Sequence, residues 1–401
     1  MSARTYLLAG GSFAVGTSAY VVSGVLPAVS SDLHVSLTAA GQLSTAFALS
    51  YAVGAPLLAT VTARWERRTL LFVALLVAGL GNGLAALAPN YPLLLAARVI
   101  AAFGAAVYTP AATLVATGLL PAAERGRAVA VVFGGLTMAM VVGVPLGNLL
   151  SGSLGYRGVF GVIALVCLIA AALVVFLLPK VAPAAPVALR ERFAVAADRR
   201  VLIMLAITIF GVLGAMSVYT YVVPLLGATA GVSGPIVGVL LLAYGVGGVV
   251  GNTLGGFATD RIGAMRTLMI TMVGFVVAVG TLPLTATTVV GAGFALFAWS
   301  AFTWAFNPPV QNLLIELAPE GGLLLSINAS AIYFGAGLSG VVGGLVISAV
   351  GPIALPVIAS GLGVVVIGLV LVLRSVMAKT PAPSTAPVEV CPAGAVELEH
   401  R

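Results

Sequence analysis

Charged residues are scarce in this sequence. Only 7% of its 401 residues are Asp, Glu, Lys or Arg, whereas soluble domains contain roughly 25%. Before Lys180, the charge-free stretches are 22 to 31 residues long; after Arg200 they cover residues 201–259, 267–315 and 321–373. A helix crosses the apolar core of a bilayer in about 20 residues, so each short stretch fits one crossing and each long stretch fits two. We therefore predict an all-α integral membrane protein with twelve transmembrane helices.

The sequence also lacks the patterns of barrel strands and of common catalytic sites. Its apolar runs are continuous and do not alternate with polar residues, which favours helices over a transmembrane barrel. Neither Lys180 nor Lys379 follows a glycine, so there is no phosphate-binding loop. The two histidines, His34 and His400, are too far apart for a zinc-binding H-E-x-x-H motif. We predict no enzymatic activity, no cofactor and no bound metal.

The basic residues fall on one side of the predicted membrane topology. If the N-terminus is cytoplasmic, every Lys and Arg except Arg98 and Arg157 lies in a segment on the cytoplasmic side. Loops rich in Lys and Arg remain on the cytoplasmic side of the membrane, so we place both termini in the cytoplasm. The net charge of +7 then reflects topology. It does not indicate a nucleic-acid partner.

A charged linker divides the chain into two halves with equal numbers of predicted helices. The predicted units are a six-helix half over 1–180, a cytoplasmic linker over 181–200, a second six-helix half over 201–378 and a disordered tail over 379–401. Arg64 and Arg261 lie 197 residues apart, each after the second helix of its half. Two parallel, pseudo-symmetric halves with a substrate site between them are typical of secondary transporters.

The loop after the eighth predicted helix carries the most specific motif. It reads G-F-A-T-D-R-I-G-A-M-R over residues 256–266, and it resembles the signature loop of the major facilitator superfamily, G-x-x-x-D-R-x-G-x-x-[RK]. Glycines allow a tight turn between helices, and an acid followed by arginines can latch neighbouring helix ends. The predicted latch residues in this half are Gly256, Asp260, Arg261, Gly263 and Arg266.

The counterpart loop in the first half departs from this pattern. It keeps the basic residues Arg64, Arg67 and Arg68, but Ala63 stands where the family has aspartate. Glu66 stands where the family has glycine. We hypothesise a weaker latch in this half, with Glu66 partly replacing the missing acid.

Arg98 is embedded in the fourth predicted helix. An arginine at the centre of a membrane helix costs on the order of 3 kcal/mol or more, so it should face the protein interior or a water-filled cavity. The surrounding R-V-I-A-A-F-G-A-A resembles the family motif R-x-x-x-G-x-G-A-A. That resemblance implies a part in substrate binding or proton coupling. The alternative is a structural arginine bonded to helix carbonyls.

Small residues mark several predicted helices. The fifth contains G-V-P-L-G, which is similar to an antiporter signature that normally reads G-P. Small residues four positions apart let helices approach closely. The family fold implies that helices five and eight, and two and eleven, meet across the halves. We predict helix-packing or gating roles for Gly134, Gly143, Pro145, Gly147, Gly251, Gly255, Gly340 and Gly344.

Aromatic residues are candidates for the substrate pocket. The resemblance implies that helices one, four, seven and ten line a central cavity. The candidates on these helices, besides Arg98, are Tyr20, Tyr219, Tyr221, Trp299, Trp304 and Asn307. The alternative for each aromatic residue is packing at the membrane interface, where Trp and Tyr collect. No Asp or Glu lies well inside a predicted helix, which favours uncharged or weakly anionic amphiphiles as cargo.

The pattern as a whole resembles twelve-helix drug:proton antiporters, in particular chloramphenicol-resistance and arabinose-efflux-like permeases. The resemblance implies a monomer in the lipid bilayer of a bacterial-type plasma (inner) membrane that exports small hydrophobic compounds or antibiotics in exchange for protons. Those exporters usually have a glutamate where this chain has Ala19. Two alternatives remain open: a permease for sugars or metabolites, and a membrane sensor or scaffold that transports nothing.

Overall fold

The computed structural model describes residues 3–119, 125–181, 198–317 and 322–379, and every regular element in these ranges is helical. The helices before the linker are α1 (Ala3–Tyr20), α2 (Val22–Asp32), α3 (Leu37–Val61), α4 (Arg67–Leu87), α5 (Tyr91–Gly118), α6 (Arg125–Met138) and α7 (Val144–Leu177). Those after it are α8 (Arg199–Thr220), α9 (Val222–Ala230), α10 (Pro235–Ile262), α11 (Ala264–Gly280), α12 (Leu282–Thr285), α13 (Val289–Ala305), α14 (Asn307–Leu317), α15 (Gly322–Val350) and α16 (Leu355–Lys379). Most of the predicted linker, 182–197, and of the predicted tail, 380–401, lies outside the described residues.

Within those ranges, nine helical segments are long and apolar enough to cross a membrane, or ten if α1 and α2, bent by 45°, form one crossing. The sequence predicted twelve. The 50-residue segment Ala128–Leu177 counts once, although its backbone leaves helical geometry at Gly155 (φ 64°, ψ 176°). Glycine tolerates this positive φ because it has no Cβ. The apolar helix Ala264–Gly280, with 17 residues, is too short to count.

Polar side chains cap the starts of several membrane helices. Ser36 accepts a hydrogen bond from Ala39 N at the start of α3, and Asn90 accepts one from Leu93 N at the start of α5. Asp198 caps α8 in the same way. Such caps satisfy backbone N–H groups that have no partner within the helix. The few polar residues of this chain therefore help to fix where its helices begin.

Helix α6 continues into α7 through a π-helical turn, Ala139–Gly143. Pro145 follows it, and a proline lacks the N–H that an α-helix needs and clashes with the preceding turn. The wider turn accommodates that clash. The irregular stretch meets the second half here: a Cβ at Gly238 of α10 would lie 3.4 Å from the Pro145 carbonyl oxygen.

Most of the singled-out glycines pack helices within one half. Gly143 faces Thr17 of α1 and Gly147 faces Val21 at the break between α1 and α2, while Gly251 and Gly255 face the backbone of α13. A Cβ at Gly255 would lie 2.6 Å from the Ala305 carbonyl oxygen, so the close approach of α10 and α13 requires glycine there. In this conformation these four positions pack helices within one half, and a gating role for them stays a prediction. An added Cβ at Gly134 would meet nothing within 4 Å.

Candidate functional site

A cavity of about 2200 Å³ lies between the two halves. Its lining begins near the bend between α1 and α2, at Tyr20 and Ser23, and extends to Thr62, Ala63 and Arg67 at the turn from α3 to α4. Pockets for drug-sized ligands occupy roughly 300–1000 Å³. The cavity can therefore hold such a molecule together with water.

Aromatic residues from both halves form part of the cavity wall. Of the predicted pocket residues, Tyr20, Tyr219, Trp304 and Asn307 line it. The lining also contains Tyr51 of α3 and Tyr333 of α15, which the sequence analysis missed. Their rings stack with centroids 3.5 Å apart and an interplanar angle of 16°. The implied contact between helices two and eleven was the signal that could have found this pair.

Tyr221 and Trp299, which were predicted as pocket residues, do not line the cavity in this conformation. Trp299 is fully buried and packs edge-on against Tyr244, with ring centroids 4.8 Å apart. Tyr221 is also fully buried and lies at the break between α8 and α9. Its hydroxyl donates a hydrogen bond to the Gly340 carbonyl at 2.8 Å. The break turns its ring towards α15.

The cavity wall carries very little charge. Among its described lining residues there is no Asp or Glu, and the single charged side chain is Arg67. Polar groups are instead supplied by Ser and Thr hydroxyls and by the amides of Asn252, Asn307, Gln311 and Asn328. Such a wall can hydrogen-bond a neutral cargo but offers no carboxylate to a cationic one.

Arg98 lies behind the cavity wall. It is fully buried, and its guanidinium carbon is 4.4 Å from the centre of the Phe47 ring and 5.5 Å from that of Phe160. Nη1 donates to the Ser18 hydroxyl at 3.3 Å, and this hydroxyl donates to Asn82 Oδ1 at 3.0 Å. Nε and Nη2 have no hydrogen-bond partner in the described part of the chain. Arg98 thus reaches the cavity only through Phe47, which lines it.

Helices α3 and α15 close the end of the cavity remote from Arg67. Gln42 Nε2 donates to the Gly340 carbonyl and Thr38 Oγ1 to the Gly344 carbonyl, both at 3.1 Å. A Cβ at Gly344 would lie 2.6 Å from Thr38 Cγ2 and 2.9 Å from the Tyr221 hydroxyl. Glycine therefore allows these helices to meet at this contact, which we call the α3–α15 closure.

The predicted latch residues of the second half make no ion pair within the described part of the chain. Asp260, Arg261 and Arg266 are exposed, and Asp260 makes no ion pair within the described ranges. Gly256 is half-buried in α10, and Gly263 ends that helix with φ 86°. The α3–α15 closure lies at the opposite end of the cavity.

Glu66, the predicted latch acid of the first half, contacts the start of α4 and the residues that follow α7. Its carboxylate caps α4, accepting from the backbone N–H groups of Arg68 and Thr69 and from the Thr69 hydroxyl. It also accepts from Val181 N at 2.9 Å. The Arg68 guanidinium donates to the Leu178 carbonyl at 3.4 Å. Together these contacts attach the loop before α4 to the end of α7, while Arg64 is exposed.

We expect Glu66→Ala to destabilise the protein by about 1 kcal/mol at neutral pH, the usual cost of losing a helix cap. Burial alone would raise the Glu66 pKa, but the hydrogen bonds from Val181, Thr69 and Arg68 lower it to about 2. A carboxyl group with a lowered folded-state pKa stabilises the fold above its unfolded pKa, about 4.5 here. That contribution is lost as the pH falls towards 2.

Thermal unfolding of detergent-solubilised protein at a series of pH values tests this expectation. The difference between wild type and Glu66→Ala should be constant above the unfolded pKa and shrink below it. Glu66→Gln keeps an acceptor oxygen and serves as the uncharged control. A difference that does not vary with pH would show that the carboxylate charge is not what stabilises the cap.

Known proteins resemble this chain along most of its length. The profile of the Major Facilitator Superfamily matches residues 8–321 and 205–395. An uncharacterised MFS-type transporter of Bacillus subtilis, YbcL, is 38% identical over 84% of this chain and 88% of its own length. The inner membrane transport protein YdhP of Escherichia coli is 33% identical over 91% and 93%. A chloramphenicol resistance protein of Streptomyces lividans is 36% identical over 64% and 66%.

Proposed function

The chain belongs to the Major Facilitator Superfamily, and from that premise we propose that it exports small, neutral or weakly anionic amphiphiles by alternating access between its two halves. It is a multi-span helical membrane transporter and not an enzyme. The observation that carries the proposal is the cavity of about 2200 Å³ between the halves, sealed at one end by the α3–α15 closure. Alternating access requires such a site that opens to one side at a time.

In the proposed topology the chain crosses the membrane twelve times, with both termini in the cytoplasm. Ten crossings follow from helix length and composition when α1 and α2 form one. A break at Gly155 divides Ala128–Leu177 into two crossings, and Ala264–Gly280 supplies the twelfth. The positive-inside rule gives the orientation. The conformation described here then opens to the cytoplasm and is closed towards the outside.

The proposed cargo follows from the chemistry of the cavity wall. Aromatic rings such as Tyr20, Tyr219 and Trp304 offer apolar faces, and Asn307 and Asn328 offer both donors and acceptors. A neutral compound with an aromatic ring, hydroxyl groups and an amide suits this wall. Chloramphenicol is such a compound, and one relative is named for resistance to it. We therefore take it as the first cargo to test.

We further propose that export is coupled to protons and that the exporter works as a monomer. The support for proton coupling is the resemblance to drug:proton antiporters. Acidic side chains in the described helices lie only near helix ends, at Asp32, Asp260 and Glu316. A coupled proton would therefore have to be carried without a carboxylate in the middle of the membrane.

Uptake of labelled chloramphenicol into everted membrane vesicles tests the proposed function. We expect uptake several-fold above that of vesicles without the protein, and its loss when the pH gradient is collapsed. Uptake that survives collapse would argue against proton coupling but not against export. Vesicles that take up no more than the empty control would contradict chloramphenicol as cargo.

A second candidate function is the export of sugars or other polar metabolites. The amides of Asn252, Asn307, Gln311 and Asn328 on the cavity wall favour it, because amides can bond sugar hydroxyls as donors and acceptors. Competition in the same vesicles separates the two candidates. An excess of a simple sugar should leave chloramphenicol uptake unchanged if the cargo is amphiphilic, and should reduce it if sugars share the site.

A further inference from the structure

Arg67 occupies an unusual position at the mouth of the cavity. It is the first residue of α4, it lines the cavity and only 8% of its surface is exposed. Among the described residues its guanidinium makes one hydrogen bond, from Nη2 to the Ala63 carbonyl at the long distance of 3.5 Å. A guanidinium carries five N–H donors. Most donors of Arg67 therefore have no partner in the described part of the chain and can meet a molecule in the cavity.

No carboxylate in the described chain neutralises Arg67. The ion pairs found there join Arg157 to Asp32 and Arg200 to Asp198. Glu66 is adjacent in sequence, but its two oxygens accept bonds from Arg68 N, from Thr69 and from Val181 N. Residue 63, whose carbonyl Arg67 contacts, is alanine and so brings no charge.

Neighbouring basic residues differ from Arg67 in what they contact. Arg68 donates to the Val175 and Leu178 carbonyls at the end of α7, and Arg64 is exposed. Neither lines the cavity. Arg67 is thus the one charged group on the described cavity wall, and its charge is held between apolar walls that screen it less than bulk water would.

We propose that Arg67 is an anion-binding residue that makes this cavity prefer amphiphiles with an acidic group, such as a carboxylate or a sulfonate. The guanidinium binds two oxygens of such a group through parallel N–H donors. The apolar body of the molecule then extends towards the aromatic wall. This inference deepens the proposed export function and rests on it for its physiological meaning, but anion binding itself can be measured without transport.

A matched pair of probes tests the proposal. Naphthalene sulfonate carries a permanent negative charge, and naphthalene sulfonamide has nearly the same size and is neutral at pH 7. Binding of each to the purified full-length protein in lipid nanodiscs is measured by the change in probe fluorescence. We expect the wild type to bind the sulfonate about tenfold more tightly than the sulfonamide, the size of a favourable charged hydrogen bond.

Four variants identify the source of that preference. Arg67→Gln should remove the tenfold preference by weakening sulfonate binding alone, and Arg67→Lys should keep most of it. Ala63→Asp should act like Arg67→Gln, because it places a carboxylate beside the guanidinium. Arg68→Gln is the matched control, and it should leave both affinities within twofold of wild type.

Several results would overturn the proposal. One is that the wild type binds the sulfonate no more tightly than the sulfonamide, or does not bind it at all. Another is that Arg67→Gln lowers the affinity for both probes equally. A failure of the proposed export function can be distinguished from these outcomes. If vesicles take up no chloramphenicol but the purified protein prefers the sulfonate in a way that depends on Arg67, the proposed cargo is contradicted. The proposed anion site is then still supported.

Discussion

Oxidation of a Thr38→Cys, Gly344→Cys double variant should abolish export completely, and reduction should restore it. The two residues belong to helices α3 and α15, which come from different halves and meet at the closure. A Cβ at Gly344 would lie 3.4 Å from Thr38 Cβ, close to the Cβ separations of about 3.5–4.5 Å found in disulfides. A covalent link there prevents the halves from separating at this end, and alternating access requires that separation.

The measurement is chloramphenicol uptake by everted vesicles before and after treatment with an oxidant, followed by dithiothreitol. The background should lack Cys167 and Cys391, so that the introduced pair is the only possible disulfide within a chain. Each single-cysteine variant, treated identically, shows any effect of the oxidant itself. Full export by the oxidised, demonstrably cross-linked double variant would mean that transport does not open the α3–α15 closure.

We expect Arg98→Met to reduce export at least tenfold while the thermal midpoint of the protein stays the same or rises. Arg98 is a fully buried cation, two of its donor atoms have no partner and no carboxylate bonds to it in the described chain. Burying an unpaired charge costs several kcal/mol. Contacts with aromatic rings offset about 2 kcal/mol of such a cost. Methionine has a similar volume and no charge, so the variant should be at least as stable as the wild type.

The export rate should fall because Arg98 contacts two side chains at or near the cavity wall. Its guanidinium lies against Phe47, part of the cavity wall, and it bonds Ser18 of α1. Replacing it removes the positive potential directly behind that wall and frees both side chains to move. The family resemblance also gives this arginine a part in binding or coupling, and the prediction is consistent with that role.

Arg157→Met is the matched control for Arg98→Met. Arg157 pairs with Asp32 at 3.4 Å, with both side chains about half exposed. Exposed ion pairs of this kind contribute roughly 0–1 kcal/mol. This variant should therefore export normally and unfold at nearly the wild-type temperature. If Arg98→Met exported normally, the arginine would have no part in the mechanism; if it disappeared from the membrane, its role would be structural.

Sequence patterning predicted the broad architecture because charge is excluded from a bilayer along the whole chain. The spacing of charged residues marks where helices can cross, and the charged stretch at 180–200 is the predicted boundary between halves. The G-x-x-x-D-R loop and the motif around Arg98 indicated the family through local residue identities. None of these features depends on knowing which side chains meet in space.

Which helix faces line the cavity could not be derived in the same way. Lipid and protein interior are both apolar, so hydropathy does not distinguish a face against lipid from a face against another helix. Tyr219 and Tyr221 illustrate this: they are two positions apart, yet one lines the cavity and the other lies at the α3–α15 closure. The break between α8 and α9 separates them, and no hydropathy pattern predicted it.

The sequence by itself determined that this is an all-helical membrane protein of a transporter family, because the cost of burying charge and the family motifs can both be read along the chain. Only the tertiary structure showed that Tyr51 stacks on Tyr333 and that Glu66 caps the start of α4. It also showed that Arg67 is the charged residue on the described cavity wall. These arrangements depend on how far apart helices from different parts of the chain lie. The distance between two helices is set by how their side chains pack, for example at Gly340 and Gly344. It cannot be predicted from the hydropathy of either helix alone.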